Sequence, residues 1–224
     1  MPRLTGAQFL ADSLHAQGVT HVFFVPAILS HTLAELDRRT PIRRILTHGE
    51  KSAVYMADGY ARASGRVGVS FAQCIGAANL AAGLRDPYLA CSPLVVLTGG
   101  PYAQSRSRHV YQEIEDFPLF KPVTKYSARV DTVTRLPDTL RQAFRAATTG
   151  TPGPAHLELA GGKILARPDR LRAPWRGQGR VCDARHGLRR RPRCRLYRPG
   201  RPHHHDLRAL RGRPQPQRGR IDQL

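Results

Sequence analysis

Short apolar runs recur along the first 160 residues, and between them lie stretches whose apolar residues fall three and four apart. This alternation of strand-like with helix-like patterning admits few architectures. The strand-like runs are VTHVFFV (19–25), IRRILT (42–47), VGVSFA (67–72), PLVVLTGG (93–100), VTKYSARV (123–130) and AHLEL (155–159). A first helix is predicted after Thr5, an N-cap residue with Gln8 three places on in capping-box spacing; Ala7, Leu10, Ala11 and Leu14 form its apolar stripe and Gly18 its stop. Further helices are predicted over 32–38, over 51–64 up to Gly65, over 77–84, and on Leu136, Leu140, Ala143, Phe144 and Ala147. Residues 101–121 have no period and read as a long loop.

Six strands alternating with helices predict an α/β fold: one doubly wound, mostly parallel six-stranded sheet with helices on both faces and right-handed crossovers. Open sheets of this kind bind ligands at the carboxyl ends of their strands. Pro26, Glu50, the loop Gln73–Gly76 and the pair Gly99–Gly100 all fall at such ends, so they are expected to share one rim. The run PLVVLTGG is almost purely apolar, as expected of a strand covered on both faces.

Charge separates the rest of the chain from this body. The formal net charge is +20, of which residues 176–224, with fifteen Arg, three Asp and no Lys, supply +12. That segment is rich in Arg, Pro and Gly, lacks sustained periodicity, and is expected to be disordered, because it cannot bury enough apolar surface to offset its ordering entropy. It reads either as a basic arm for nucleic acid or, the reading favoured here, as the product of a shifted reading frame in a GC-rich gene; nucleic acid is therefore not the expected partner. Cys74, Cys91, Cys182 and Cys194 show no paired spacing, so neither a disulfide framework nor zinc is expected. No apolar run approaches the roughly 18–20 residues of a membrane helix, and the amino terminus has no signal core, which predicts a cytoplasmic protein.

Glu50 begins a predicted helix immediately after a strand. As an acid at a helix amino terminus it complements the macrodipole, a contribution of about 0.3–1 kcal/mol, and that alone accounts for it. The chain has no G-x-G-x-x-G after a strand, no G-x-x-x-x-G-K-[ST], no H-E-x-x-H and no G-x-S-x-G, so nicotinamide, P-loop, metalloprotease and serine-hydrolase chemistries have no support.

Five blocks in order nevertheless carry a resemblance: GVTHVFFVP (18–26), HGEKSAVYMADGYARASGR (48–66), QCIGAANLAAGLRDPYLACSPLVVLTG (73–99), YQEIEDFPLFKPVTKY (111–126) and GTPGPAHLEL (150–159). Over roughly residues 3–162 the chain resembles the amino-terminal, pyrimidine-binding domain of thiamine-diphosphate-dependent enzymes of the acetolactate synthase type. The resemblance implies that Glu50 is the catalytic acid of the H-x-E block. It hydrogen-bonds the aminopyrimidine of thiamine diphosphate and favours the imino tautomer that deprotonates the thiazolium carbon, while the cofactor carries the carbanion chemistry. Apolar neighbours Val54, Tyr55 and Met56 are expected to enclose that carboxyl and disfavour its ionised form. Cofactor-binding roles are implied for Pro26, Gly76, Asn79 and Gln112, each with a bland counterpart: a strand terminator, a tight turn, a helix-start amide and a solvated loop amide. Lys121 and Lys125 read either as facing an acidic substrate or, the reading favoured here, as a solvated face.

The chain also departs from the family. Where the family reads V-F-G-V-P-G, Phe24 and Ala27 replace the glycines; where it reads S-G-P-G, the chain has Gln73-Cys74-Ile75-Gly76. The G-D-G signature of the domain that holds the diphosphate through magnesium is missing, so no metal ligand is expected here, and magnesium would come only through a missing domain or partner. The predicted organisation is a pyrimidine-binding domain (1–162), a linker (163–175) and the basic tail (176–224). The resemblance implies a 2-oxo acid substrate, carboligation or decarboxylation, and a homodimer or partner subunit supplying the diphosphate domain, the chain being inactive alone. A non-catalytic regulatory or assembly module is the alternative.

Overall fold

Thr5 caps the first helix as its spacing to Gln8 predicts: its hydroxyl accepts from the Gln8 amide at 3.1 Å, and the Gln8 side chain accepts from the Thr5 amide at 3.1 Å. The computed structural model describes residues 4–26, 29–160 and 168–169. Strand β1 (Leu4–Thr5) leads into α1 (Gly6–Ala16), followed by β2 (His21–Phe24), α2 (Ser30–Arg39), β3 (Arg43–Leu46) and α3 (Glu50–Ser64). Next come β4 (Gly68–Ala72), α4 (Ala77–Gly83), α5 (Arg85–Leu89), β5 (Leu94–Gly100), β6 (Tyr126–Val130), α6 (Leu136–Thr148), β7 (Ala155–Ala160) and β8 (Pro168–Asp169).

Six strands form one all-parallel sheet in the order β3-β2-β4-β5-β7-β6. Successive side chains point to opposite faces, and each face builds its own core. Val22, Val69, Phe71, Val95, Leu97, Val130, Leu157 and Leu159 pack with residues of α1, α2 and α6. Phe23, Ala72, Leu94 and Val96 pack with Ala53, Val54 and Ala57 of α3, Leu80 and Ala81 of α4, and Phe120. The fold is the doubly wound α/β sheet that the alternation predicts. Every residue of β5 is buried, as its unbroken apolarity requires. By contrast, β3 lies at the edge with Arg43 and Arg44 exposed, charges that discourage pairing with another chain.

Three local features differ from expectation. The predicted helix from residue 77 stops at Gly83, and a second short helix, α5, carries Pro87 at its third position. The strand predicted from 123 starts at Tyr126, because 117–123 wind into 3-10 turns around Pro118 and Pro122. Pro168–Asp169, within the predicted linker, pair antiparallel with β1. The remainder of that linker and the whole Arg-rich tail, 176–224, lie outside the described residues. Among the described residues no helix is long and apolar enough to cross a membrane.

The chain order locates a switch point. From β2 the chain passes through α2 to β3 on one side; from β4 it passes through α4 and α5 to β5 on the other. α2 and α4 pack against opposite faces. Folds of this kind bind ligands beyond the carboxyl ends of neighbouring strands whose connections diverge, in the crevice the topology leaves there; in this sheet those strands are β2 and β4, followed by Pro26 and by the loop 73–76.

Candidate functional site

Thr47 sets the turn that delivers Glu50 to this crevice. Its amide donates to the Phe24 carbonyl at 2.9 Å, and its hydroxyl lies 3.1 Å from the Phe24 carbonyl and 3.0 Å from that of Gly49. The end of β3 is thereby tied to the end of β2, and Glu50 becomes the first residue of α3. Its position at the positive end of that helix is the one dipole complementarity favours.

The Glu50 side chain lies against Gly76. A Cβ at Gly76 would stand 2.3 Å from Glu50 Oε1 and 2.5 Å from its Cδ, so glycine is what lets loop 73–76 close on the carboxylate. Asn79, in the first turn of α4, donates from Nδ2 to Glu50 Oε2 at 3.2 Å. Oε1 has no hydrogen-bond partner among the described residues. Glu50, Gly76 and Asn79, drawn from two separate sequence blocks, therefore meet as one cluster. The expected apolar enclosure is corrected: Val54 is fully buried, but Tyr55 and Met56 are 40% and 44% exposed, and Glu50 itself is half-buried. Tyr55 and Met56 lie on the solvent side of α3, one helical face away from Val54.

Pro26 follows β2 at the crevice and is exposed; no hydrogen bond or ring contact links it to Glu50. Gln112 arrives from the long 101–125 connection. The thiol of Cys74 donates to the Gln112 carbonyl at 2.9 Å, which ties that connection to the same loop that carries Gly76. Burial pushes the Cys74 thiol above its ordinary pKa; a backbone hydrogen bond from Ile114 opposes this, and the carboxylates of Asp116, Glu158 and Glu113 add to it. Lys125 is not a free surface cation: its Nζ donates to the carbonyls of Ala146 (2.6 Å) and Thr149 (2.9 Å) at the carboxyl end of α6.

A second acidic cluster occupies the other half of the rim. Glu158 of β7 is 6% exposed, and its Oε1 lies 3.0 Å from Arg129 Nε and 3.9 Å from Arg106. The Arg129 contact is an ion pair off the hydrogen-bonding direction, which leaves both atoms without an aligned hydrogen bond. Burial raises the Glu158 pKa against the opposing pull of the two guanidinium groups. Arg106 also pairs with Asp131 at 2.7 Å, while Arg129 pairs with Glu115 and sits 4.4 Å over the Phe117 ring. Beneath this network, His156 is fully buried between the hydroxyls of Thr98 and Ser127, each at 2.8 Å, and stacks on Phe120 at 3.5 Å. Burial lowers its pKa to about 3, so the ring is neutral.

Sequence reasoning missed Thr47, Glu113 and the Glu158 network as parts of the rim, and the contact of Cys74 with Gln112. A β-branched hydroxyl at a strand end, directly before H-G-E, was the available signal for Thr47; the others needed three-dimensional proximity between distant segments. Among the described residues no group of three or more His, Cys, Asp or Glu side chains forms a metal-binding cluster. The rim thus carries two carboxylates in different settings: Glu50, held by one neutral amide, and Glu158, paired with two guanidinium groups.

Comparison with known proteins identifies a family. The profile of the family described as thiamine pyrophosphate enzyme, N-terminal TPP binding domain, matches residues 4–119. A probable acetolactate synthase large subunit of Methanocaldococcus jannaschii is 38% identical over 163 residues, covering 70% of this chain and 27% of that protein. The acetolactate synthase large subunit of Haemophilus influenzae is 35% identical over 167 residues (71% and 28%), and the acetolactate synthase of Bacillus subtilis 36% over 156 residues (69% and 27%). The matched stretch spans just over a quarter of each relative.

Proposed function

The chain belongs to the thiamine pyrophosphate enzyme family as the N-terminal TPP-binding domain of an acetolactate-synthase-like protein, and from that premise we propose that the rim around Glu50 receives the aminopyrimidine half of thiamine diphosphate. The observation that carries this reading is the Glu50 carboxylate, seated on Gly76, with one oxygen held by Asn79 and the other without a hydrogen-bond partner among the described residues. That second oxygen, Oε1, is suited to a ring nitrogen of the pyrimidine, and the neutral Asn79 partner leaves the carboxylate's charge uncancelled. Bound thiamine diphosphate supplies carbanion-stabilising chemistry next to a carbonyl, the chemistry that 2-oxo acid carboligation or decarboxylation requires. Glu50 holds or releases the proton shared with the ring. Pro26 and Gln112 flank the ring from the end of β2 and from the long connection. Gly76 permits the close approach of loop 73–76.

The diphosphate and its magnesium are assigned to protein outside this domain, in a partner subunit that carries the diphosphate-binding domain. In this reading residues 1–162 grip the pyrimidine half of the cofactor. Calorimetric titration with thiamine diphosphate and magnesium, with and without an intact acetolactate synthase of this family, tests the reading. Glu50→Gln is expected to weaken binding by at least about tenfold through loss of a charge-assisted hydrogen bond. Binding that Glu50→Gln leaves unchanged would refute the assignment.

A further inference from the structure

The connection between β5 and β6 is pinned at both legs and strained at its tip. Arg106 pairs with Asp131 at one leg; Glu115 pairs with Arg129 at the other, where Arg129 also covers Phe117. Between them Ser107, His109 and Gln112 take φ values of 64°, 51° and 63°. Three non-glycine residues in the left-handed region within six positions are an unfavourable backbone that surrounding contacts must hold in place. Two side chains do so. The Glu113 carboxylate accepts from the amides of Ser107 and Val110, closing the tip on itself. The Cys74 thiol donates to the Gln112 carbonyl, fastening the tip to loop 73–76. The backbone of Gln112 is thus held, while its side-chain amide makes no hydrogen bond to the described residues.

We infer that residues 107–113 form a strap, latched by Glu113 and Cys74, that positions Gln112 over the Glu50–Gly76 rim. Cys74 stands where the family pattern S-G-P-G has a glycine, and glycine has no side chain to donate, so this latch belongs to the present chain. Burial raises the thiol's pKa against the lowering effect of the Ile114 backbone hydrogen bond, the direction that favours the donor form. The positioning half of the inference rests on the cofactor reading above; the strap itself does not.

Amide hydrogen exchange of the full 224-residue chain, followed on peptides spanning 105–116, tests the strap. Cys74→Ala and Glu113→Gln are each expected to speed exchange over 107–113 by about fivefold, the effect of losing one hydrogen bond, at an unchanged melting temperature. Cys74→Ser, which restores a donor, is expected to stay within about twofold of the parent. Unchanged exchange in both Cys74→Ala and Glu113→Gln overturns the strap. If Cys74→Ala fails to fold, Glu113→Gln decides alone, since that carboxylate contacts only the tip. Titration of the same proteins with thiamine diphosphate and magnesium tests positioning, and Cys74→Ala is expected to bind several-fold more weakly while Cys74→Ser does not. Faster exchange with unaltered binding overturns positioning and leaves the strap standing. A parent chain that does not bind even with an intact relative present removes the cofactor reading, and positioning with it, whatever the exchange shows.

Discussion

Two glutamates on the same rim of the sheet sit against glycines in nearly the same way, and their surroundings give them opposite uses. Glu50 crowds Gly76, where a Cβ would meet Oε1 at 2.3 Å; Glu158 crowds Gly100, where a Cβ would meet its Cγ at 2.7 Å and Oε1 at 2.8 Å. Glu50 is half-buried, and among the described residues its one hydrogen-bond partner is a neutral amide, which leaves an oxygen unpartnered. Glu158 is buried between two guanidinium groups that also hold Asp131 and Glu115. A carboxylate with charged partners is already committed, and its removal or displacement leaves buried charge behind. One with a neutral partner and an open side keeps its charge available to a ligand. Position on the rim alone does not distinguish a site from a brace; the partners do.

The same substitution at the two glycines should therefore give different readouts. Gly100→Ala forces a Cβ into a side chain that cannot swing away, and overpacking of this kind costs about 2–3 kcal/mol. Gly76→Ala strikes the far end of a half-exposed side chain that can rotate outward, so the expected stability loss is under about 1 kcal/mol. Its main effect falls on binding, because Glu50 leaves its place. Chemical denaturation of both variants, with thiamine diphosphate titration of each, checks the pair. Equal stability losses would mean that Glu50 is as locked as Glu158.

Acid provides a second contrast, confined to the brace. His156 is neutral in the fold with a pKa lowered from 6.5 to about 3 by burial, so below pH 6.5 the unfolded chain takes up a proton that the folded chain refuses. Its contribution is complete above pH 6.5 and is lost as pH falls toward 3, at up to about 1.4 kcal/mol per pH unit. Glu158 works in the opposite sense. Its raised pKa makes the fold lose stability as pH climbs from 4.5 through the folded value. Subtracting the pH profile of His156→Gln from that of the parent isolates the histidine, and the difference between pH 6.5 and pH 5 should be about 2 kcal/mol. A flat difference would show that the ring reaches water.

Much of this was legible in the sequence because it depends on local pattern. Thr5 and Gln8 announce their capping box, Gly65 ends α3 at φ 70°, and VVL in β5 is apolar because both faces are covered. Glu50, Gly76 and Asn79 were individually visible, each at a strand end or helix start, and the sheet topology then brought them together. Tyr55 and Met56 misled, since adjacency in sequence on a helix is not adjacency in space. The Glu158–Arg129–Arg106 brace was illegible: it joins residues from the ends of β7 and β6 to a stretch without periodicity, and a long loop's ion pairs leave no local trace. The Cys74 latch was hidden likewise, 38 residues from its partner.

The smallest expected effect separates the two partners themselves. Asn79→Ala removes one neutral hydrogen bond of 3.2 Å from a half-exposed carboxylate that water can then solvate, so the loss in unfolding free energy should be at most about 0.5–1 kcal/mol. Arg129→Gln withdraws a guanidinium that serves Glu158, Glu115 and the Phe117 ring together, and should cost more than Asn79→Ala. For binding the order reverses. Without Asn79, Glu50 Oε2 loses its anchor and the carboxylate is free to turn, so affinity for thiamine diphosphate should fall a few-fold, while Arg129→Gln leaves it unchanged. Denaturation midpoints and calorimetric titrations on the two variants supply all four values. If Arg129→Gln weakened binding as much as Asn79→Ala, the brace would extend into the ligand site, and the division of the rim between a locked half and an open half would not hold.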